Sequence, residues 1–349
     1  MSNNKKNKFY GVNDDLWGHK WGFKDSSFII NDDNTVTFTG KRYEGISGER
    51  LPYLIPFVTK VLNTDIKKEP YFKEIEKKYV AKRKINQDFV NDIESSFNKD
   101  QISFSDEERV LHSHGQNSPD EVFKVLYDKL EKFTDIIVYV ENEEDVINLI
   151  QKAKKHNVCL VPYGGGTNVT NALKLPEDEE RMIVSVDTRR LNKIISIDTK
   201  NLLIEVEAGI TGKHLEEELQ KKGFTVGHQP DSIELSTLGG WISTNAAGMK
   251  KNKYGNIEDI VQNVIMVTPN GTISQIKPLV RSSIGIKTQN LLFGSEGNIG
   301  IITKAVLKIH KLPECSDYES VVLKDWDIGL EFMYELAHSS YVPASARML

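Results

Sequence analysis

The sequence predicts an α+β fold in which short strands alternate with amphipathic helices. From Thr134 onward, brief apolar runs are separated by helical patterns, as expected when strands and helices share a domain. Several glycine-rich segments lie next to the predicted strands. The 349 residues are 39% apolar and 27% charged, which suffices for about two domains with packed cores and excludes a wholly disordered chain.

Charge and cysteine content exclude several classes of function. The chain carries 45 basic and 50 acidic residues, so its net charge of −5 gives no bulk attraction to nucleic acid. Only Cys159 and Cys315 are present, which argues against a disulfide framework or a cysteine zinc site and favours a reducing compartment. We predict no metal site. No apolar run approaches the roughly 20 residues that a membrane helix needs.

The N-terminal part divides into a tail and an extension. Residues 1–16 are predicted to be a flexible tail, and residues 17–129 an N-terminal extension. Asp33 and Asn34 separate two apolar triplets, which predicts a short hairpin. The apolar periodicity predicts two helices in this extension, at 51–61 and 69–83.

The central region, residues 130–312, is predicted to be one domain. A helix is expected over 143–156, since its acidic first turn complements the helix dipole. A second helix over 212–222 ends at Gly223, a residue typical of left-handed caps. Predicted strands lie at 135–140, 158–161, 182–186, 194–197, 202–206, 264–267 and 299–309.

Residues 313–349 are predicted to open a separate unit. A strand is expected over 319–323 and a helix over 329–338. The sequence stops at Leu349 without a polar tail, where the pattern indicates the start of a new element, so we expect a truncated domain.

The first glycine-rich segment follows a predicted strand. Residues 162–168 read Pro-Tyr-Gly-Gly-Gly-Thr-Asn, and three consecutive glycines remove every β-carbon. Backbone N–H groups could then bind a diphosphate, helped by the Thr167 hydroxyl and the Asn168 amide. The spacing fits neither a Rossmann dinucleotide turn nor a P-loop. Taken alone, a flexible turn explains this segment equally well.

Two further segments favour an elongated cofactor. Residues 231–248 combine glycines with many hydroxyls, so a flat ring could approach the backbone and receive in-plane hydrogen bonds. Residues 293–300 read Phe-Gly-Ser-Glu-Gly-Asn-Ile-Gly and precede a predicted strand. Three separated segments without bulky side chains favour one long ligand over three unrelated turns.

Together these segments resemble the FAD-binding domain of the vanillyl-alcohol-oxidase type, also called PCMH-type. More specific motifs resemble the alkyldihydroxyacetonephosphate synthase family, and ordinary flavin dehydrogenases do not share the N-terminal ones. These motifs are at residues 21–28, 39–43, 109 with 114–115, 227–232 and 248–259.

The resemblance implies a fold, a cofactor and a reaction. It implies noncovalent FAD and an N-terminal extension, followed by the start of a truncated cap domain at 313–349. The implied enzyme is a transferase of ether-lipid biosynthesis that makes plasmalogen precursors. It exchanges the acyl chain of acyl-dihydroxyacetone phosphate for a long-chain fatty alcohol, through a flavin N5 adduct and without net redox. The products are alkyl-dihydroxyacetone phosphate and fatty acid. Peroxisomal localisation, peripheral membrane association and a homodimer are further expectations.

The resemblance also implies site residues. His228 and Arg347 match family residues implicated in activity, although a buried structural histidine and a carboxylate-paired arginine are the plainer explanations. Lys250 and Lys251 are interpreted as a solvated turn. The implied FAD contacts are Pro162, Tyr163, Gly164, Gly165, Gly166, Thr167, Asn168, Asp231, Ser232, Ile233, Glu234, Leu235, Ser236, Thr237, Thr244, Asn245, Ala246, Ala247, Glu296, Gly297, Asn298, Ile299, Gly300, Ile301 and Ile302.

Two departures from the family pattern keep alternatives open. The tyrosine and histidine acid/base groups that the family carries further along are absent up to Leu349. Residues 285–287, Gly-Ile-Lys, replace a glycine-proline-aspartate run. The alternatives are an FAD-linked oxidoreductase of a 2-hydroxy acid, similar to D-lactate dehydrogenase, and an inactive flavin-binding fragment.

Overall fold

The computed structural model describes residues 16, 21–41, 45–66, 80–275, 283 and 285–349. It confirms the predicted α+β fold, with a smaller mixed sheet and a larger antiparallel sheet as its two main layers. The predicted flexible tail falls almost entirely outside the described residues. Within the described part, no helix is both long and apolar enough to cross a bilayer.

The N-terminal extension begins with a small antiparallel sheet of strands β1 (Phe28–Ile30), β2 (Val36–Phe38) and β3 (Arg50–Leu51). Asn34 adopts a left-handed φ of 59° between β1 and β2, so the predicted hairpin is confirmed. Helix α1 (Leu54–Leu62) starts three residues later than predicted. Of the second predicted helix, residues 69–79 lie outside the described residues and 80–83 are irregular.

The smaller sheet has four strands in the order β4-β5-β7-β6, and β7 runs parallel to both β5 and β6. Its strands are β4 (Ile102–Ser103), β5 (Ile136–Tyr139), β6 (Cys159–Tyr163) and β7 (Ile183–Asp187). Helices α2 (Gln87–Glu94) and α5 (Glu143–His156) pack on it, and α5 has the predicted bounds. Asn142 caps α5 by accepting a hydrogen bond from the Asp145 N–H at 2.9 Å.

The larger sheet has five antiparallel strands in the order β12-β11-β13-β9-β8. Val267 and Ile301 of this sheet are buried in the same apolar cluster as α5, which joins the two layers. Its strands are β8 (Ile194–Asp198), β9 (Leu203–Glu207), β11 (Val261–Thr268), β12 (Gly271–Ile273) and β13 (Ile301–Lys308). A two-stranded ladder pairs β10 (Phe224–Thr225) with β14 (His310–Lys311).

The remaining helices were predicted less completely. Helix α6 (Gly212–Gln220) is followed by Gly223 at φ 79°, as the sequence predicts. Short helices without a predicted counterpart are α3 (Asp106–Leu111), α4 (Pro119–Leu126), α7 (Leu238–Ser243), α8 (Lys251–Tyr254) and α9 (Ile257–Ile260), with 3-10 turns at Lys99–Gln101 and Thr288–Leu291.

The last segment contains helix α10 (Trp326–His338), which begins three residues before the predicted start. The predicted strand at 319–323 is wrong, because these residues are irregular and almost all exposed. An apolar run becomes a strand only when a neighbouring strand pairs with it, and no described strand lies alongside this one. The domain boundaries at 16, 129 and 312 remain predictions.

A buried arginine ties the N-terminal extension to the smaller sheet. Arg109, which is only 2% exposed, donates from Nε to the Thr134 carbonyl at 2.7 Å. Its Nη1 and Nη2 atoms donate to Asp106 at 2.7 Å and to the Ala81 carbonyl at 2.9 Å. All three nitrogens are therefore satisfied, and two backbone carbonyls depend on this side chain.

The Arg109→Met substitution should lower the free energy of unfolding by roughly 2–4 kcal/mol, because it leaves buried carbonyls without donors. Arg50→Met is the matched control, since Arg50 forms an exposed ion pair with Asp33 and should cost less than about 1 kcal/mol. Urea unfolding of both variants measures the difference. Equal effects would show that the buried network does not stabilise the fold.

Candidate cofactor site

A cavity of about 350 Å³ lies where the carboxyl end of β6 meets α7 and the start of β13. It therefore lies between the smaller and the larger sheet, and all three glycine-rich segments contribute to its wall. Its size is within the ordinary range of ligand sites. The structure thus brings together segments that are more than 130 positions apart in the sequence.

The glycine triplet is required by a close approach of two loops. A β-carbon at Gly164 would lie 2.4 Å from the Thr237 hydroxyl, and one at Gly165 would lie 2.0 Å from the Leu235 carbonyl oxygen. The β-carbon positions of these two glycines thus face the second glycine-rich segment. The sequence predicts that the missing β-carbons allow backbone N–H groups to bind a diphosphate. In the structure, the absence of side chains at Gly164 and Gly165 allows the two loops to contact each other.

The cavity wall is largely apolar, carries hydroxyl and amide groups, and is nearly uncharged. Among the described residues that line it, only Glu296 has a charged side chain. Its carboxylate accepts a hydrogen bond from the Thr170 hydroxyl at 2.8 Å, which links the first and third glycine-rich segments. Lys250 and Lys251 do not line the cavity, and Lys251 is the first residue of α8 rather than part of a turn. A diphosphate here would have to be bound by backbone N–H groups and hydroxyls.

Such N–H groups are available in the first segment, among them those of Thr167 and Asn168. The backbone N–H groups of Thr167 and Asn168 donate to no protein acceptor in the part of the chain that the structure describes. Both residues line the cavity. Exposed, convergent backbone donors on a glycine-rich loop are a common anion-binding arrangement. The residues present therefore fit the diphosphate of FAD.

A buried charged cluster packs against Tyr163, the residue that precedes the glycine triplet. The Tyr163 ring lies 4.4 Å from the His112 ring and 5.2 Å from the Arg189 guanidinium, measured between centres. His112 Nε2 lies 2.9 Å from Asp187, and Arg189 Nε donates to the same carboxylate at 3.0 Å. Burial alone would raise the pKa of Asp187, but Arg189 and His112 hold it below its ordinary value. Burial raises the pKa of Tyr163, which stays a neutral phenol.

Most of the predicted FAD contacts line this one cavity. Gly164 to Asn168 follow β6, and Ser236 and Thr237 precede α7. The predicted residues on its wall are Pro162, Tyr163, Gly164, Gly165, Gly166, Thr167, Asn168, Ser232, Ser236, Thr237, Thr244, Asn245, Ala246, Ala247, Glu296, Gly297, Gly300, Ile301 and Ile302. Their role in holding FAD remains a prediction.

The other predicted contacts lie outside the cavity wall. Ile233 turns toward α6, where its carbonyl accepts from the Lys213 N–H at 3.0 Å, and Leu235 faces Gly165. Asn298 bonds within its own turn, to the Ser295 carbonyl at 3.0 Å. Not on the wall are Asp231, Ile233, Glu234, Leu235, Asn298 and Ile299. Residues 231–235 and 298–299 lie in irregular loops whose consecutive residues point in different directions, so only some of them reach the cavity.

His228 lies one layer behind the cavity. Its ring packs 4.8 Å from Trp241, which does line the cavity, and it is only 1% exposed. Neither ring nitrogen has a hydrogen-bond partner among the described residues. Burial lowers the pKa of His228 to about 4, so the imidazole is neutral at pH 7.

Arg347 lies at the surface. Its Nη2 atom is 3.8 Å from Asp231 Oδ1, and the two side chains are 56% and 76% exposed. Such an exposed pair contributes little to stability. Neither residue is on the cavity wall.

Several wall residues were not predicted from the sequence. Thr170, Ala172 and Leu173 continue the first segment beyond its glycines, and Thr188 follows β7. Thr170 was detectable as a hydroxyl close to the glycine triplet. Thr188 carries no local signal, because only the parallel pairing of β6 with β7 brings it to the site.

Comparisons with known proteins identify the cofactor. A family model described as an FAD binding domain matches residues 134–277. The alkyldihydroxyacetonephosphate synthase of Caenorhabditis elegans is 40% identical over 331 residues, covering 94% of this chain and 54% of the relative. A solved alkyldihydroxyacetonephosphate synthase structure matches with a TM-score of 0.78 at 34% identity, covering 86% of this chain and 54% of that one. This chain is a homologue of those synthases.

FAD is therefore the cofactor, and the predicted PCMH-type domain is confirmed. The synthase of Dictyostelium discoideum is also similar, at 34% identity over 310 residues, covering 87% of this chain and 50% of the relative. The chain spans about half the length of the curated synthases that it matches.

Gly165→Ala should reduce bound FAD at least about ten-fold and lower the free energy of unfolding by about 1–3 kcal/mol, because its methyl group overlaps the Leu235 carbonyl. Flavin absorbance per chain and urea unfolding measure the two effects. Gly240→Ala is the matched control on the same wall. The β-carbon it adds would lie 3.3 Å from the Thr237 hydroxyl, and no other heavy atom of the described residues outside its own helix would lie within 4 Å. Normal FAD content in Gly165→Ala would contradict the loop contact.

His228→Gln should make the protein less sensitive to acid. The unfolded histidine titrates near pH 6.5 and the folded one near 4, so the unfolded state binds more protons between these values. The stability contributed by neutral His228 is thus present above about pH 6.5 and lost as the pH falls toward 4.

Between pH 7 and pH 5, the parent should therefore lose about 2 kcal/mol more unfolding free energy than His228→Gln, measured by urea titration. His338→Gln changes an exposed histidine of α10 and serves as the control. Identical pH profiles for parent and His228→Gln would exclude a neutral buried His228.

Proposed function

We propose that this chain supplies the FAD-binding part of a transferase that makes alkyl ethers. The name of the related synthases gives the product, an alkyldihydroxyacetone phosphate. We infer that the reaction forms it by exchanging the acyl chain of acyl-dihydroxyacetone phosphate for a long-chain fatty alcohol. The observation that carries the proposal is the extent of the similarity, since 94% of the chain matches and the match therefore includes the N-terminal extension. A shared flavin domain alone would match only the central region.

The exchange balances without an oxidant or a reductant. The bond between the dihydroxyacetone carbon and the acyloxy oxygen breaks, and a bond from that carbon to the alcohol oxygen forms. The proton of the alcohol ends in solution or on the departing carboxylate. When bound, FAD would supply the nucleophilic centre that divides the exchange into two displacements.

The chain's own residues would hold the cofactor and handle charge. The Thr167 and Asn168 N–H groups would bind the diphosphate, and Trp241 would separate the neutral His228 imidazole from the cavity. The proton-transfer role of His228 is proposed from the family resemblance alone, since in this structure Trp241 lies between its imidazole and the cavity. Arg347 is exposed and only loosely paired, so its guanidinium is accessible to a phosphate or carboxylate group.

The test uses the product of the complete reading frame that contains this sequence. We expect labelled fatty alcohol to be incorporated into alkyl-dihydroxyacetone phosphate, with fatty acid released in equal amount and the flavin oxidised after each turnover. Omitting acyl-dihydroxyacetone phosphate is the control. Stoichiometric hydrogen peroxide or an absolute need for an electron acceptor would favour the 2-hydroxy acid oxidoreductase instead.

A protein that retains FAD but catalyses neither reaction would support the inactive flavin-binding alternative. Peroxisomal localisation, peripheral membrane association and homodimer formation stay predictions, as do the catalytic roles of His228 and Arg347.

A further inference from the structure

We propose that residues 113–118 of the N-terminal extension, here called the supporting segment, orient the diphosphate-binding N–H groups of the first glycine-rich loop. This inference rests on FAD as the cofactor. The supporting segment does not line the cavity. It would therefore act on FAD through the loop, as a positioning element.

Two hydrogen bonds join the supporting segment to the loop. The backbone N–H of Gln116 donates to the Gly166 carbonyl at 2.6 Å. The Asn117 Nδ2 group donates to the Thr167 carbonyl at 3.0 Å. Two consecutive loop carbonyls are thus held toward the supporting segment.

Peptide geometry converts this contact into an orientation of the loop donors. In a trans peptide, the carbonyl and the following N–H point in opposite directions. Fixing the carbonyls of Gly166 and Thr167 toward the supporting segment therefore turns the N–H groups of Thr167 and Asn168 away from it. Both residues line the cavity, and neither N–H donates to a described protein acceptor, as is also true of the N–H groups of Gly164, Gly165 and Gly166.

The supporting segment is itself fixed from both sides. Trp21 Nε1 donates to the Gln116 carbonyl at 2.6 Å. Glu121 accepts from the Gly115 N–H at 2.8 Å, and Gln116 is 5% exposed. Trp21 and the His114-Gly115 pair belong to the N-terminal motifs noted in the sequence. Both motifs thus help to fix the supporting segment, which contacts the first glycine-rich loop.

The test measures the FAD dissociation constant of Asn117→Ala by flavin fluorescence titration of the chain. Removing one hydrogen bond worth about 1 kcal/mol should weaken FAD binding about five-fold. The melting temperature of the FAD-free protein should fall only slightly, because Asn117 is exposed. Trp21→Phe keeps an aromatic ring but removes the Nε1–H donor, and should weaken FAD binding about two- to five-fold.

Asn86→Ala is the matched control. Asn86 Nδ2 also donates to a backbone carbonyl at 3.0 Å, that of His156, and its side chain caps α2. This variant should lose stability and keep the parental affinity for FAD. Parental affinity in both Asn117→Ala and Trp21→Phe, while the parent binds FAD, would overturn this inference and leave the proposed function standing. A parent that binds no FAD would overturn both.

Discussion

The cofactor site depends on the close approach of two loops at Gly164 and Gly165. Gly164 and Gly165 extend from the smaller sheet and touch residues 235–237, which lead into a helix packed on the larger sheet. Any side chain at these glycines would separate the two loops, since a β-carbon at either position would lie 2.0–2.4 Å from atoms of the second segment. The cavity exists because the two layers meet at this point.

The wall of this cavity has almost no charge, yet it suits an anion. Its wall offers hydroxyls and N–H groups, and its one described charged side chain is the carboxylate of Glu296. Binding a diphosphate here depends on the direction of dipoles more than on net charge, so the supports behind the loop become important. Below Tyr163, the ion pair of Asp187 with Arg189 is buried and further constrained by His112. Each charge in this cluster has a partner, as burial requires.

The N-terminal extension contacts the loop that lines the cofactor cavity without lining the cavity itself. Arg109 anchors it to the smaller sheet, and residues 113–118 contact the glycine-rich loop. This arrangement gives a physical reason why similarity to the synthases continues beyond the flavin domain. His228 likewise does not line the cavity. It contacts Trp241, which does, so a change at His228 would reach the cavity through that ring.

The sequence by itself determined the central strands, helices α5 and α6, the left-handed turn at Gly223 and the three glycine-rich segments. These features depend on local periodicity, on capping and on the absence of side chains, which can be recognised from residues close together in the sequence. It failed at residues 319–323, where an apolar run has no described partner strand. Only the tertiary structure decided which residues of each segment face the cavity, that Thr188 joins them, and that Leu235 meets Gly165. It alone placed Gln116 and Asn117 behind the loop and buried His228 as a neutral imidazole, because these outcomes depend on contacts between residues far apart in the sequence, such as Trp21 with Gln116 and Asn117 with Thr167.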